Sequence, residues 1–212
     1  MKILFTGFEP YWNYPINSSW VVAEKVATRG VVGVDVVIEK MPVSFSRVRV
    51  ALREAVEKHC PDMLIMLGQS GGSDKVKLER VALNMIDSKL PDNDGYTPNE
   101  EPINIETPAA LFTNTPIKSL LTAIEEQGIS VKISNSCGLY VCNRLYYEAL
   151  MLCKELHMMA IFIHLPFYEG QPSAKPNKPT MPLNDMVKAI QIIIEKINDK
   201  NREFQETTRA SV

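Results

Sequence analysis

The sequence predicts an α/β fold, a single-domain three-layer α/β/α sandwich with a largely parallel or mixed central sheet. Short apolar runs alternate along the chain with amphipathic stretches of helical period, and such alternation places a sheet between two layers of helices. The 212 residues, 45% of them hydrophobic and 23% charged, suffice to bury one sizeable core. We expect one domain over residues 1–199 and a polar tail over residues 200–212.

Four apolar runs are predicted to be strands of this sheet. They cover residues 2–6, 34–38, 63–67 and 161–165. Each run is too apolar to have a solvated face, which is typical of buried strands in a parallel sheet.

Amphipathic stretches between the strands are predicted to be surface helices. The clearest has Thr115 as its N-cap, Pro116 as its first helical residue and Gly128 as its stop. Two further apolar stripes with helical spacing cover residues 48–59 and the segment that begins near Cys142.

Two proline-rich stretches, residues 91–116 and 166–182, interrupt the alternation. Both are predicted to be long, restrained loops, and binding walls, surface excursions and oligomer contacts are all common roles for such loops. The final helix has its apolar stripe between Met186 and Ile197 and is predicted to end near Asp199.

Charge and composition exclude several classes of partner. The formal net charge of -2 gives no electrostatic reason to bind nucleic acid or an anionic membrane. No apolar run approaches the roughly 18 residues that cross a bilayer, and Glu9 and Pro10 interrupt the first run before a signal-peptide core forms. Four cysteines without a dense framework indicate reduced thiols. We expect a cytoplasmic protein that acts on a small molecule or peptide.

Cys142 is the strongest candidate for a catalytic nucleophile. It follows a polar turn and lies in the first turn of a predicted helix. Free amides and the positive end of the helix dipole favour a thiolate there and can lower a cysteine pKa from about 8.5 to between roughly 3.5 and 7.5. Most intracellular cysteines only fill cores, so the presence of a histidine base decides between the two roles.

His164 is the best candidate for that base among the three histidines. It ends a predicted buried strand, where α/β proteins place functional side chains, although a packed core imidazole is the alternative. His59 and His157 lie at helix ends, where packing or capping is the commoner role. Strand-like alternation over residues 76–84 places Glu79 on an apolar face. A carboxylate held there needs an imidazole N–H or a basic residue as its partner.

Five motifs occur in order along nearly the whole chain. They are Thr6-Gly7-Phe8-Glu9-Pro10; Gly68-Gln69-Ser70-Gly71-Gly72 leading into Glu79-Arg80-Val81-Ala82-Leu83-Asn84; Pro91-Asp92-Asn93; the segment from Ser134 to Asn143; and Phe162-Ile163-His164-Leu165-Pro166. Together they resemble the pyroglutamyl peptidase I family, also called pyrrolidone carboxylate peptidases. These are cysteine peptidases that remove an N-terminal pyroglutamyl residue.

The resemblance implies a role for each candidate residue. Cys142 would be the nucleophile, His164 the general acid/base and Glu79 the acid that orients it, with a thioester intermediate and no metal or organic cofactor. The amides at the start of the Cys142 helix would hold the oxyanion, and Lys89 would add a positive charge. Substrate binding is assigned to six residues: Phe8, Tyr11, Gln69, Leu90, Tyr140 and Val141. The family likeness also suggests a homodimer or homotetramer.

Four positions depart from the family pattern. Family members usually carry an aromatic-Gly-Gly turn after the first proline, where this chain has Trp12 as the second residue. Ser73 and Lys89 stand where arginines are usual, and Lys77 replaces a small hydroxyl residue. Lysine cannot reproduce the bidentate fork of arginine, so these changes concern rate and substrate preference.

Three other functions are compatible with parts of the sequence. A catalytically impaired relative would bind pyroglutamyl or similar N-termini without turnover. A nucleotide-binding domain is disfavoured because residues 68–72 lack the Gly-x-Gly-x-x-Gly fingerprint. A redox pair of Cys137 and Cys142 is conceivable, but it lacks the Cys-x-x-Cys spacing of thiol oxidoreductases.

Overall fold

A computed structural model describes residues 1–172 and 177–210. The strands are β1 Lys2–Phe8, β2 Asp35–Met41, β3 Met63–Gln69, β4 Val76–Glu79, β5 Val81–Leu83, β6 Ala110–Phe112, β7 Val131–Ser134, β8 Met159–Leu165, β9 Phe167–Tyr168 and β10 Thr180–Met181. The helices are α1 Ser18–Arg29, α2 Val48–His59, α3 Ile117–Glu125, α4 Val141–Leu156 and α5 Leu183–Ala210.

A six-stranded sheet forms the middle layer, in the order β2-β1-β3-β8-β4-β7. Neighbouring strands pair in parallel with one exception, the antiparallel pair of β8 and β4; β4 and β7 pair in parallel. Helices α1, α3 and α5 pack on one face, and α2 and α4 pack on the other. The predicted three-layer α/β sandwich with a mostly parallel sheet is confirmed.

The apolar runs form strands because both of their faces are covered. Along β1, Ile3 and Phe5 join one core and Leu4 joins the other, and each of these side chains is fully buried. Strand β2 is the exception among the four runs, since its side chains are mostly half-exposed. It lies at the edge of the sheet, where covering is incomplete.

The segment predicted as one strand over residues 76–84 is divided at Arg80, so that prediction is wrong. The backbone N–H of Arg80 donates to the Ser134 carbonyl at 2.8 Å, and its carbonyl accepts from Thr113 N–H at 2.9 Å. These bonds end β4 in the main sheet and direct β5 to a separate antiparallel pair with β6. Glu79 therefore occupies the last position of β4.

Two helix boundaries also differ from the prediction. Helix α3 begins at Ile117 with Pro116 as its N-cap, one residue later than expected. Helix α5 continues to Ala210 instead of ending near Asp199. Residues 200–210 are mostly polar but contain neither glycine nor proline, and polarity alone does not stop a helix.

The two proline-rich stretches are not loops throughout. The first contains β6, and the second contains the short strands β9 and β10, which pair in parallel. Part of the second stretch, residues 173–176, lies outside the described residues. Within the described ranges, no helix is both long and apolar enough to cross a membrane.

Candidate active site

A cavity of about 430 Å³ opens where the carboxyl ends of β1, β3 and β8 meet the N-terminus of α4. Cys142, His164 and Lys89 line it. So do all six residues that were predicted to bind substrate, namely Phe8, Tyr11, Gln69, Leu90, Tyr140 and Val141. Glu79 lies behind His164 and does not line the cavity. Residues from distant parts of the sequence thus meet at one edge of the sheet, and their roles remain predictions.

Cys142 is the second residue of α4, as the sequence predicts. Tyr140 is the extended N-cap residue, and its carbonyl accepts from the backbone N–H of Asn143 at 3.0 Å and of Arg144 at 3.3 Å. These bonds engage the third and fourth amides of α4, whereas the first two, those of Val141 and Cys142, have no carbonyl partner within the helix. The half-buried thiol therefore lies beside N–H groups suited to holding an oxyanion.

Asn143 is a structural member of the site that sequence reasoning missed. Its side chain is fully buried and makes three hydrogen bonds: Oδ1 accepts from Leu83 N–H at 2.9 Å, and Nδ2 donates to the carbonyls of Leu83 at 2.8 Å and Met85 at 2.9 Å. These bonds tie the first turn of α4 to the end of β5. Its place at the end of the Ser134 to Asn143 motif, next to Cys142, was the available signal.

Asn143→Ala is expected to lower the free energy of unfolding by about 2–4 kcal/mol, because it leaves buried backbone groups of β5 and the following loop unpaired. Urea denaturation measures the change. Asn135→Ala is the matched control, since Asn135 is exposed in the turn before the same helix. Equal stability of the two variants would show that the Asn143 bonds contribute nothing to the fold.

His164 and Glu79 form a buried pair between the neighbouring strands β8 and β4. Their Nδ1 and Oε1 atoms are 2.8 Å apart, and Glu79 is fully buried while His164 is 7% exposed. The antiparallel pairing of β4 with β8 brings them together, since Lys77 lies opposite His164 and Glu79 lies opposite Phe162. A carboxylate can only accept, so Nδ1 carries the proton and Nε2 is left free for proton exchange.

The salt bridge that the sequence left open as a partner for Glu79 is not formed among the described residues. Lys77, one of the four positions that depart from the family pattern, lies two residues before Glu79 on β4. Its ammonium donates to Ser70 Oγ at 2.8 Å and not to the carboxylate. Burial lowers the pKa of Lys77, while the Glu79 carboxylate opposes that shift. Oε1 of Glu79 pairs with the His164 imidazole, while Oε2 has no hydrogen-bond partner within residues 1–172 and 177–210, so the imidazole is the one partner that this carboxylate has among the described residues.

The prediction of a lowered pKa for Cys142 is wrong. Burial, followed by the negative charge of Glu79, raises the pKa of Cys142 to about 12, and only its own backbone amide lowers it. Desolvation of a charged sulfur outweighs the helix N-terminus here. The sulfur is therefore a neutral thiol near pH 7, and a base must remove its proton as it attacks.

Buried thiols should also make the fold sensitive to alkali. Burial raises the pKa of both Cys142 and Cys153 from 9.0 to about 12. Between these values the unfolded chain has lost protons that the folded chain retains, so stability is complete below pH 9 and falls as the pH rises toward 12.

The alkaline loss is expected to be less steep in Cys153→Ala than in the wild type, because one buried thiol no longer contributes. Urea midpoints measured at pH 8, 9 and about 10.5 give the slope. Cys60→Ala removes an exposed thiol and serves as the control. An unchanged slope in Cys153→Ala would contradict the assignment.

The polar atoms of Gln69 are largely engaged by the protein. Oε1 accepts from Ser18 N–H at 2.9 Å and from Gln171 Nε2 at 2.7 Å, and Nε2 donates to the Tyr11 hydroxyl at 3.4 Å. Gln69 thus connects the cavity wall to the start of α1. The carbonyl oxygen is already engaged by two donors, so the second N–H of Nε2 is the group of Gln69 that can bind a ligand.

The first motif, which ends in Glu9 and Pro10, is hydrogen-bonded to the Pro91-Asp92-Asn93 motif. Lys89 and Leu90, which line the cavity, directly precede that second motif. Asn93 Nδ2 donates to Glu9 Oε1 and to the Pro10 carbonyl, both at 2.9 Å. Asp92 Oδ2 accepts from Phe45 N–H at 2.8 Å. These contacts hold the Pro-Asp-Asn segment against the residues that follow β1.

Comparison with known proteins gives consistent results. A family model described as pyroglutamyl peptidase matches residues 1–200. The pyrrolidone-carboxylate peptidase of Thermococcus onnurineus is 40% identical over 197 residues, which cover 92% of this chain and 98% of that protein. The counterpart from Streptococcus pneumoniae strain 70585 is 38% identical over 208 residues, 97% of each chain.

Solved structures agree with the sequence comparison. The pyrrolidone carboxyl peptidase from Thermococcus litoralis has a TM-score of 0.90 at 31% identity and covers 95% of both chains. A crystal structure of Bacillus amyloliquefaciens pyroglutamyl peptidase I has a TM-score of 0.84 at 34% identity, with 90% of this chain and 93% of that chain covered.

Proposed function

Since the chain belongs to the pyroglutamyl peptidase family, we propose that it hydrolyses the amide bond after an N-terminal pyroglutamyl residue through Cys142, His164 and Glu79. The family resemblance inferred from the five motifs is confirmed. One observation carries the residue assignment: the thiol at the start of α4 and the imidazole paired with buried Glu79 line the same cavity.

The first half of the reaction forms a thioester. Nε2 of His164 accepts the thiol proton while Cys142 Sγ attacks the pyroglutamyl carbonyl, and the imidazolium then donates that proton to the leaving amine. Glu79 keeps Nδ1 protonated and stabilises the imidazolium, which is the role of the acid in a triad. The neutral resting thiol makes this proton transfer part of the attack.

The second half releases pyroglutamate. Nε2 takes a proton from water, the resulting hydroxide attacks the thioester carbonyl, and the proton returns to the sulfur as the C–S bond breaks. Both tetrahedral intermediates carry an oxyanion that the amides at the start of α4 would hold. Each such donor typically lowers the activation free energy by roughly 2.7–4 kcal/mol. Lys89 would add a positive charge from the exposed side of the cavity.

The apolar walls of the cavity suit a neutral lactam ring. Phe8 and Val141 are almost completely buried there, and Tyr11 brings an aromatic face with a hydroxyl. Burial raises the pKa of Tyr11, so its hydroxyl stays protonated and can donate. An uncharged ring with one N–H and one carbonyl matches these walls better than a charged amino terminus does.

The wild type is expected to release an amine reporter from a pyroglutamyl amide with a kcat/KM at least about 100-fold above that for the matching prolyl amide, because the prolyl ring carries a charge and lacks the lactam carbonyl. The two substrates share ring size and leaving group, so each is the control for the other. Comparable turnover of both would contradict lactam recognition, and turnover of neither by the folded protein would indicate the impaired relative that binds without catalysis.

We further assign the protein to the cytoplasm and to a homodimer or homotetramer. The four cysteines are free, and cytosolic proteins keep their thiols reduced. The oligomeric state follows from the family resemblance alone, and light scattering of the purified protein would overturn it by giving the mass of a monomer.

A further inference from the structure

The mouth of the cavity is apolar and exposed, while its floor is buried. Trp12 and Leu90 both line the cavity with 48% of their surface exposed. Phe8 and Val141 line the same cavity and are only 2% and 1% exposed. The cavity therefore runs from a closed apolar floor to an open rim that presents two large hydrophobic side chains.

Trp12 is fixed at this rim from several sides. Its indole N–H donates to the Pro91 carbonyl at 3.2 Å, and that carbonyl also accepts from the Tyr140 hydroxyl at 3.0 Å. The indole ring lies 5.6 Å from the Tyr140 ring and 4.8 Å from the Tyr11 ring. A half-exposed tryptophan held in this way presents a flat, preorganised apolar surface on which a ligand can stack.

The backbone of Trp12 adds a second observation. Its φ of 51° lies in the left-handed region, within a turn closed by the Tyr14 N–H to Tyr11 carbonyl bond at 3.1 Å. Glycine is the residue that such a turn position favours. A tryptophan that occupies it is held by its contacts in a conformation that its backbone disfavours, which is characteristic of functional positions.

The chemistry of the substrate gives the cavity a direction, and this step rests on the proposed function. A pyroglutamyl ring has its nitrogen inside the lactam, so the peptide continues only beyond the carbonyl that is attacked. With the ring against the buried floor, the chain must leave past the rim. The first residue of the leaving peptide would then reach the rim, where Trp12 and Leu90 present their exposed apolar side chains.

We propose that Trp12 and Leu90 form a binding site for the side chain of the residue that follows pyroglutamate and that this site selects large apolar or aromatic residues. Phenylalanine at that position would stack on the indole and cover exposed apolar surface, which alanine cannot do. One methylene in an enclosed hydrophobic pocket typically changes kcat/KM by about 10- to 200-fold, and for phenylalanine against alanine at a half-exposed rim we expect about fivefold or more.

The test compares pyroglutamyl-phenylalanine amide with pyroglutamyl-alanine amide. The wild type should have a kcat/KM about fivefold or more higher for the phenylalanine peptide, and Trp12→Gly should reduce this ratio to below about twofold. Glycine is relaxed at the Trp12 φ, so the variant is expected to fold. Leu90→Ala is the second variant and should lower the ratio in part. Trp20→Phe is the matched control, since Trp20 lies on α1 beneath Lys40 and outside the cavity.

Binding of the same two peptides to Cys142→Ala separates this inference from the proposed reaction. Calorimetry should give tighter binding of the phenylalanine peptide by about fivefold, lost in Cys142→Ala with Trp12→Gly. If the wild type turns over neither peptide, the reaction assignment fails, and the binding ratio alone decides the site at Trp12. Equal binding of both peptides, or a ratio that neither Trp12→Gly nor Leu90→Ala lowers, would overturn the inference.

Discussion

Cys142→Ala is expected to reduce kcat/KM for a pyroglutamyl amide by at least about 10⁴-fold, the scale seen when the nucleophile of a triad is removed. The variant should keep its stability, because alanine fills most of the space of a half-buried cysteine. Activity assays with the reporter substrate give the loss, and thermal melts confirm that the variant is folded.

Cys137→Ala is the matched control for this experiment. Cys137 lines the same cavity and is buried close to Cys142. Burial strongly raises the pKa of Cys137 as well, but Cys137 precedes α4 and does not lie at the start of a helix as Cys142 does. A loss below about tenfold is expected. If Cys137→Ala loses as much activity as Cys142→Ala, the nucleophile has been assigned to the wrong cysteine.

Glu79→Gln is expected to lower kcat by about 10³- to 10⁴-fold with a small change in KM. The amide that replaces the carboxylate can present an N–H to Nδ1, which would shift the proton of His164 to Nε2 and remove the base. His164→Gln should lose at least as much, and the double variant should lose little more than His164→Gln alone, because the two residues act as a unit.

The chain offers a second histidine–carboxylate pair as a control. His59 Nε2 and Glu39 Oε1 are 2.7 Å apart, close to the 2.8 Å of the buried pair, but neither residue lines the cavity. Glu39→Gln and His59→Gln should retain kcat within about twofold. A large loss in these variants, or a small one in Glu79→Gln, would contradict the assignment of Glu79 as the acid that orients the base.

The sheet was predictable because its central strands are apolar on both faces. Strands β1, β3 and β8 contribute alternate side chains to two cores, so their sequences lack the polar residues of a solvated face. The position of Cys142 in the first turn of α4 was predictable for a similar reason, since a polar turn precedes a helical stripe. Local patterns of this kind need no knowledge of distant contacts.

Other parts of the site depend on contacts that local sequence does not encode. The antiparallel insertion of β4 beside β8 is what brings Glu79 to His164, and the break at Arg80 is set by bonds to Thr113 and Ser134. The raised pKa of Cys142 results from desolvation in the assembled site and from the nearby Glu79 charge, so a helix N-terminus alone gave the wrong direction. The strained turn at Trp12 is likewise fixed by tertiary contacts.

In the proposed mechanism, Cys142 carries the pyroglutamyl group as a thioester. Mass spectrometry of protein quenched in acid during turnover of a substrate with a good leaving amine tests it most directly. We predict one pyroglutamyl adduct on the peptide that contains Cys142, absent in Cys142→Ala. An adduct on another residue, or full turnover by Cys142→Ala without any adduct, would show that Cys142 is not the nucleophile.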